Sequence, residues 1–365
     1  MAIDWTKSMK QEFEFYKVNP ATWKDDEQLH HITNFKIVRD LSESTCGHAN
    51  ISTTKDYGES YIRAYMKCTQ GEEQEMVPLA TVLAQTPGKQ YDGFKATYDI
   101  DAYTPLIELK NDKPPIGYAI KKGLNVMIQA CRLTAENINA PLIEAKREGQ
   151  NFRNNFCANL DDTWLSFISD MIQYVQMRFE IDGMGRVTFA PFQELSSLSP
   201  CWTYTDDENS IFYPEIKDDQ DFYSIPNVVE ILYSSYKGMM YVRVENNDPN
   251  SKVSTVNRGR TILYRDTNPS VSETATIKEV KEYAVTLLKE LSSLEHTVTY
   301  SHGFTPVQIG SCVRLNYERA GLVDVKAKVI SQSFDCSPGC KVEETAVYTT
   351  NLWEGEKYDI VSRTY

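Results

Sequence analysis

The feature that most restricts the fold is a change of periodicity in the C-terminal quarter of the chain. Between Thr276 and Leu294, apolar residues recur at helical spacing, and Thr276 with Glu279 matches the capping box that begins many helices. After Leu294, apolar and polar residues alternate in three segments, which are Val313–Tyr317, Val325–Val329 and Val342–Tyr348. A period of about 3.6 residues followed by a period of about 2 predicts one helix that leads into an antiparallel β unit.

Short β-strands are also predicted nearer the N-terminus, between Ile32 and Tyr103. Apolar residues alternate with polar or tyrosyl neighbours from Ile62 to Cys68 and from Ala96 to Ala102. The turn pairs Pro87-Gly88 and Asp92-Gly93 separate these segments. This pattern predicts a first domain that is a small β-barrel or β-sandwich.

A mixed α/β part is predicted in the middle of the chain. One helix is predicted from the spacing of Ile120, Leu124, Met127, Ile128 and Cys131. A second helix is predicted from Trp164, Phe167, Ile168, Met171, Ile172 and Val175. Asp161 or Asp162 is the expected N-cap of the second helix, because a carboxylate accepts hydrogen bonds from the first turn. A hairpin of Phe179–Ile181 and Val187–Phe189 is expected to follow.

The segment from Asp206 to Asp221 is strongly acidic. Its only basic residue is Lys217, and its carboxylate residues are Asp206, Asp207, Glu208, Glu215, Asp218, Asp219 and Asp221. Aromatic residues are interleaved with them, which favours an ordered surface excursion over a disordered tail. The segment lacks the spacing of a Ca²⁺ loop, and a solvated or partner-binding face is favoured over a pair of glycosidase carboxylates. A buried strand, Val228–Tyr233, and its hairpin partner, Tyr241–Val244, are predicted next.

The composition excludes several classes of protein. The net charge of −13 argues against a protein that clamps nucleic acid by neutralising its phosphates. No run of about 18 apolar residues is present, and the first residues lack the basic start and apolar stretch of a signal peptide. We therefore expect neither membrane insertion nor export through the Sec route. At 365 residues the chain is long enough for two to four domains.

No catalytic, cofactor-binding or metal-binding residue is predicted, and the chain is expected not to be an enzyme. The five histidines are His30, His31, His48, His296 and His302. None belongs to the i, i+4 pair with an intervening Glu that zinc hydrolases use. A Gly-x-Ser-x-Gly elbow and a Gly-rich phosphate loop are also absent from the sequence.

The eight cysteines are too sparse for a disulfide scaffold, so reduced, buried thiols are expected. They are Cys46, Cys68, Cys131, Cys157, Cys201, Cys312, Cys336 and Cys340. Cys46-Gly47-His48 places a thiol near an imidazole, but a turn at a strand edge is the preferred interpretation. Cys336 to Cys340 encloses a Pro-Gly pair and predicts a tight hairpin turn, with metal or redox use as the alternative.

Seven sequence phrases are informative when they are read together and in order. They are Trp202–Pro214, Ile225–Ile231, Glu245–Ser251, Ser254–Arg260, Glu290–Ser293, Tyr300–Gly303 and Lys326–Ser331. These phrases resemble the baseplate hub proteins of contractile-tailed bacteriophages and related prophage particles. The resemblance covers most of the chain and is strongest from about Val187 to the C-terminus.

The resemblance implies a mainly β fold with an α+β part: two small tube-type β-barrels, a mixed α/β unit and a peripheral helix. Residues 1–104 would form the first barrel, and residues 105–191 would form the mixed unit, with 250–296 packing onto it. Residues 192–249 and 297–353 would form the second barrel, including the acidic excursion near 202–223. Residues 354–365 would be a C-terminal tail, too short for the peptidoglycan hydrolase domain that some tail-end proteins carry.

The function implied by the resemblance is structural. The chain would form a homotrimer that joins the hexameric tail tube to the trimeric spike and forms part of the DNA channel. The implied partners are the tail tube protein, the spike or needle protein, baseplate wedge proteins and, as a further candidate, the tape measure protein. DNA would pass without specific binding, and the chain would reside in the virion tail baseplate after assembly in the host cytoplasm.

A second hypothesis belongs to a different class of function. The acidic, aromatic excursion between Trp202 and Tyr223 is also compatible with a tail-tip module that binds or hydrolyses cell-wall glycan. The two hypotheses differ in whether the protein assembles with tail components or acts on peptidoglycan.

Overall fold

The computed structural model describes residues 3–85, 87–143, 150–207, 211–235, 238–272 and 274–365. These residues contain five α-helices: α1 (Ile107–Asn111), α2 (Val126–Asn137), α3 (Trp164–Gln173), α4 (Thr255–Arg258) and α5 (Ile277–Leu291). No helix in the described part of the chain is long and apolar enough to cross a membrane.

The first half of the chain contributes the strands β1 (Lys10–Val18), β2 (Asp25–Gln28), β3 (Ile32–Asp40), β4 (Gly47–Thr53), β5 (Ser60–Gln70), β6 (Glu73–Ala84), β7 (Gly88–Tyr91), β8 (Ala96–Tyr103), β9 (Ala119–Ile120), β10 (Phe156–Cys157) and β11 (Met177–Ile181). The second half contributes β12 (Val187–Pro191), β13 (Trp202–Thr205), β14 (Phe212–Gln220), β15 (Val228–Ser235), β16 (Gly238–Glu245), β17 (Leu263–Asp266), β18 (Ser293–His302), β19 (Cys312–Tyr317), β20 (Leu322–Asp335), β21 (Val342–Asn351) and β22 (Asp359–Thr364). The prediction of a mainly β fold with an α+β part is confirmed.

The largest sheet in the described ranges has 14 strands and is open. Its main path runs β14-β18-β21-β20-β3-β4-β8-β6-β5-β1-β2, with β7 paired to β8 and with β19 paired to β20 and β13. The two predicted barrels are therefore not found as closed sheets. The reason lies in the antiparallel pairing of β3 with β20, from Asp40 opposite Ser331 to Lys36 opposite Asp335. This pairing joins strands from both ends of the chain into one sheet.

The chain divides into two compact units. The first unit comprises Met1–Ile216 and Thr299–Ala346, and the second comprises Lys217–Val298 and Val347–Tyr365. Two apolar cores lie in the described part of the first unit. One includes Phe35, Ile51 and Met66 of strands β3 to β5, together with Phe334 of β20 and Val342 of β21. The other is formed by helices α1 to α3 and the β11–β12 hairpin.

Both helices of the mixed part differ in detail from the prediction. α2 begins at Val126 because Asn125 is its N-cap and accepts a hydrogen bond from the Ile128 amide. Ile120 lies in β9 instead, and Leu124 and Ile128 are exposed. α3 is capped by neither Asp161 nor Asp162 but by the residue that follows them, Thr163, whose side chain accepts from the Ser166 amide. The β11–β12 hairpin is confirmed.

The second unit contains a four-stranded sheet in the order β17-β15-β16-β22, with α5 packed on it. Val280, Ala284 and Leu288 of α5 are buried in one core with Val229 and Val242. The predicted β15–β16 hairpin is thus confirmed, but it does not belong to the sheet of the implied second barrel. The apolar face of α5 packs on this hairpin. Within the expected C-terminal tail, Asp359–Thr364 forms β22, which pairs with β16.

Candidate functional site: a buried polar network and an exposed sheet face

Cys46 ends the turn that precedes β4, and Gly47 and His48 are the first residues of that strand. The Cys46 amide donates to the Glu43 carbonyl at 2.9 Å, and His48 Nδ1 lies 2.9 Å from Glu43 Oε1. Burial raises the pKa of the Cys46 thiol to about 12, so the thiol is protonated at neutral pH. The nucleophile that a Cys-His pair would need is a thiolate. The geometry therefore supports the turn and not the catalytic alternative.

The Cys336–Cys340 segment forms the predicted tight turn between β20 and β21. The Cys340 amide donates to the Ser337 carbonyl at 2.9 Å. Burial raises the pKa of Cys336 well above its usual value and that of Cys340 to about 12. All eight cysteines are free. The expectation of buried thiols is confirmed for Cys68, Cys312 and Cys340, whereas Cys46, Cys131 and Cys336 are partly buried and Cys157 and Cys201 are exposed. Within the described residues, no group of three or more His, Cys, Asp or Glu side chains could hold a metal ion.

The acidic segment forms ion pairs on an exposed surface, and β14 is part of it. In the first unit, Asp206 Oδ1 lies 2.6 Å from Nη2 of Arg319, whose hydrogen bond lowers the pKa of Asp206. In the second unit, Asp218 lies 3.0 Å from His296 Nδ1, and Asp219 pairs with Lys217. Glu208, which the sequence analysis included, lies outside the described residues. The described part of the segment therefore fits the predicted solvated or partner-binding face.

The most unusual polar group of the first unit is Glu344, which is fully buried in β21. Its Oε1 accepts from Gln332 Nε2 at 2.6 Å, and its Oε2 accepts from Tyr300 Oη at 2.8 Å and from Tyr204 Oη at 3.4 Å. His302 Nε2 lies 3.3 Å from the same Oε2, and both side chains have no exposed surface. A buried carboxylate requires this degree of hydrogen bonding, because burial without hydrogen bonds would favour the protonated, neutral carboxyl.

The network extends from Glu344 to the centre of the sheet. Gln332 on β20 accepts from Arg39 Nη1 on β3 at 3.1 Å, and Arg39 Nη2 donates to the Leu79 carbonyl of β6 at 2.5 Å. The Arg39 guanidinium also lies 5.1 Å from the centroid of the Phe334 ring. The network therefore links β6, β3, β20 and β21 by side-chain contacts, in addition to the backbone pairing of β3 with β20.

The electrostatics of the network favour an ionised Glu344. Burial raises the pKa of this carboxyl, but hydrogen bonds from His302, Gln332 and Tyr300 outweigh burial and hold the pKa below its usual value. Burial beside this carboxylate raises the pKa of Tyr204 and Tyr300 well above 10. Neither hydroxyl is open to a substrate, so the arrangement stabilises the fold instead of presenting an acid or base to solvent.

Sequence reasoning missed this network, although a signal was present. Val342 to Tyr348 was predicted as an alternating strand, and Glu344 occupies an inward position of it. Gln332 and His302 likewise occupy inward positions of β20 and β18. Of the three, only Glu344 lay in a predicted strand, because the predicted segment Val325–Val329 ends before Gln332 and no strand was predicted at His302. The available signal was therefore one carboxylate at an inward position of an alternating strand.

A polar face of the same sheet lies where β4 pairs with β8. Asn50 Nδ2 donates to Asp101 Oδ1 at 3.0 Å, and Ser52 Oγ donates to Asp99 Oδ1 at 2.8 Å. Both aspartates are exposed, while Ile100 between them is buried. One side of this part of the sheet is therefore core, and the other is acidic and solvated.

Comparison with known proteins gives a fold but no sequence family. No protein-family model matches the chain, and no curated protein matches it. The tail protein from Neisseria meningitidis MC58 is similar in structure, with a TM-score of 0.59 and 13% sequence identity over 93% of this chain and 96% of that chain. The chain has a tail-protein fold.

A second tail protein supports the same conclusion. The 43 kDa tail protein of prophage MuSo2 from Shewanella oneidensis has a TM-score of 0.59 and 11% identity over 93% of this chain and 98% of that chain. The similarity covers nearly the whole of this chain and of the Shewanella oneidensis protein. The tail-protein fold therefore includes the sheet that carries the Glu344 network as well as the second unit. At these identities the likeness concerns the fold and transfers no individual residue.

Proposed function

We propose that the chain is a structural hub protein of a phage-type tail baseplate. It forms a homotrimer that joins the hexameric tail tube to the trimeric spike, within a virion or a virion-like particle assembled in the host cytoplasm. The observation that carries the proposal is the tail-protein fold, which extends over 93% of the chain and nearly all of two tail proteins. The ordered phrases that resemble baseplate hubs support the same assignment.

The proposed partners are the tail tube protein, the spike or needle protein, baseplate wedge proteins and the tape measure protein. Residues 1–104 and 297–353 act in the proposal as related tube-type modules, so that a trimer presents six of them to the tube. This arrangement matches six-fold to three-fold symmetry and requires complementary surfaces rather than an active site.

DNA passes through the trimer without specific binding in this proposal. The acidic face with Asp99 and Asp101 is the part of the sheet that suits a channel wall, because carboxylates repel the phosphate backbone. A density map of the assembled ring tests this assignment separately. If Asp99 and Asp101 lie on the outer surface of the ring, the channel assignment is wrong even if the trimer is correct.

The homotrimer is tested by native mass spectrometry and by light scattering over a range of protein concentrations. We expect a species of three times the 41.8 kDa chain mass and a closed ring on addition of tube or spike protein. Monomers at every concentration, with no ring gained on adding either partner, would contradict the hub proposal.

The second candidate is a glycan-binding tail-tip module, and one observation favours it. Tyr223 beside the acidic segment is 76% exposed, and an exposed aromatic ring can stack on a sugar. Hydrolysis is less well supported, because a general acid of a glycosidase has a raised pKa. In the described part of this segment, the pKa values of Asp206 and Asp221 are lowered instead. Co-sedimentation with peptidoglycan and release of soluble fragments measure binding and hydrolysis, and we expect neither from a hub.

A further inference from the structure

Arg178 is a basic side chain that forms no salt bridge with any residue that the structure describes. It lies on β11, and its Nη1 atom is buried without a hydrogen-bond partner in the part of the chain that the structure describes. A Cβ added to Gly310 would lie 2.4 Å from Arg178 Nη2, so the guanidinium packs directly over the Gly310 backbone. A buried, unpaired guanidinium nitrogen costs free energy unless a ligand supplies an acceptor.

A second cation lines the same pocket. Lys328 on β20 donates from Nζ to the Gln193 carbonyl at 2.8 Å, which leaves two of its three N–H groups for other acceptors. Burial and the neighbouring Arg178 lower the pKa of Lys328. Two basic side chains therefore line one pocket of a chain whose net charge is −13. The local charge of this pocket is opposite in sign to the net charge of the protein.

The pocket also sets the charge of its ligand. Glu180 lines it with Arg178 and Lys328, so two cations and one carboxylate leave a formal charge of plus one. A monoanion such as a carboxylate balances that charge, whereas a phosphate dianion would exceed it and face Glu180. A planar guanidinium is also the group best matched to a carboxylate.

We propose that Arg178 and Lys328 bind a carboxylate carried by an acidic segment of a partner protein. The carboxylate accepts from the Arg178 guanidinium and from Lys328 Nζ, since both side chains line the pocket. That the carboxylate belongs to a partner protein rests on the proposed hub function, whereas the chemistry of the pocket does not.

The test uses the full chain and a fluorescein-labelled peptide of glutamate residues, with binding followed by fluorescence anisotropy at constant ionic strength. We expect saturable binding that acetate displaces at a lower concentration than inorganic phosphate does. Arg178→Gln should weaken binding at least about tenfold, the loss expected for one charge-assisted hydrogen bond. Glu180→Gln should tighten binding, because it removes the opposing charge.

Arg153→Gln is the matched control, since it removes an exposed arginine that does not line the pocket, and it should bind the peptide as the unmodified chain does. Thermal unfolding monitored by circular dichroism shows whether Arg178→Gln is folded, and Lys328→Gln provides a second variant if it is not. Unchanged binding in both variants, or stronger displacement by phosphate than by acetate, would overturn the proposal. A trimer without peptide binding would refute this inference alone, and peptide binding by a chain that stays monomeric would refute the hub alone.

Discussion

Glu344 shows how a single residue can hold a charge inside this sheet. Gln332, Tyr300, Tyr204 and His302 surround its two oxygens, and they come from three other strands: β20, β18 and β13. The carboxylate is therefore stable only when these strands are paired in the native register. A buried charge with this many partners selects one register over its neighbours as well as adding stability.

Replacing Glu344 with Gln should destabilise the protein by about 3 kcal/mol, because the change removes a buried carboxylate and leaves its hydrogen-bond partners poorly matched. Urea unfolding followed by intrinsic fluorescence measures this loss. Glu343→Gln is the control, since Glu343 is the exposed neighbour on the same strand and should change stability by less than about 0.5 kcal/mol. Equal effects of the two substitutions would show that the network contributes no stability.

The same residue predicts an acid dependence of stability. The pKa of Glu344 is lower in the folded chain than its ordinary value of 4.5. Its contribution to the free energy of unfolding is therefore fully present above pH 4.5. It is lost as the pH falls through the lowered folded pKa. Chemical unfolding can be measured between about pH 6 and about pH 3, where carboxyls titrate. The free energy of unfolding should decrease less over this range for Glu344→Gln than for the unmodified chain. A loss of the same size in both would contradict this assignment.

At the level of elements, the α5 helix begins where its local sequence dictates. Thr276 accepts from the Glu279 amide, and Glu279 Oε2 accepts from the Thr276 amide at 2.6 Å. The helix ends at Leu291, so that Leu294, predicted as its last apolar residue, lies in β18 instead. Helical spacing alone could not place this end, because Leu294 is buried both as a helix residue in the prediction and as a strand residue in the structure.

Thr276→Ala should lower stability by about 1 kcal/mol, the usual cost of removing an N-cap side chain. Hydrogen exchange of the first-turn amides of α5 and the midpoint of chemical unfolding measure the effect. Thr286→Ala on the same helix is the control, because Thr286 is exposed in the helix interior and alanine is the better helix former there. A loss of stability in the control as large as in Thr276→Ala would argue against the cap.

Some elements were placed by contacts far away in the sequence. The β11–β12 turn has Gly183 so close to β6 that an added Cβ would lie 2.0 Å from the Pro78 carbonyl oxygen. Trp23 Nε1 and Arg63 Nη2 both donate to the Met184 carbonyl of this turn, at 2.8 and 3.0 Å. The hairpin itself was predictable from alternation and Asp-Gly, but its attachment to β6 was not, because no local pattern records a contact over a hundred residues.

For the whole molecule, the net charge opposes the proposed trimer. Each chain carries a net charge of −13, so a homotrimer brings three acidic chains together. Screening by salt weakens this repulsion, since the Debye length falls from about 10 Å at 0.1 M to about 3 Å at 1 M. The apolar part of an interface is not weakened in the same way.

We therefore expect the trimer fraction to rise with NaCl concentration, as measured by sedimentation velocity. Potassium glutamate at matched ionic strength separates screening from competition at the Arg178 pocket, because glutamate supplies carboxylates and chloride does not. A trimer fraction that falls steadily with NaCl would contradict the prediction and would indicate an interface held mainly by ion pairs.

The sequence by itself determined the classes and positions of the elements with the clearest local patterns, because periodicity, capping boxes and turn residues act over a few residues. Alternation located β19, β20 and β21, and the Thr276–Glu279 pair located the start of α5. Only the tertiary structure decided that β3 pairs with β20, that the β15–β16 hairpin forms its own sheet with β22, and that Glu344 is buried. Strand pairing is set by which distant surfaces bury each other's apolar side chains and satisfy each other's polar groups, and that choice is made only when the whole chain is folded.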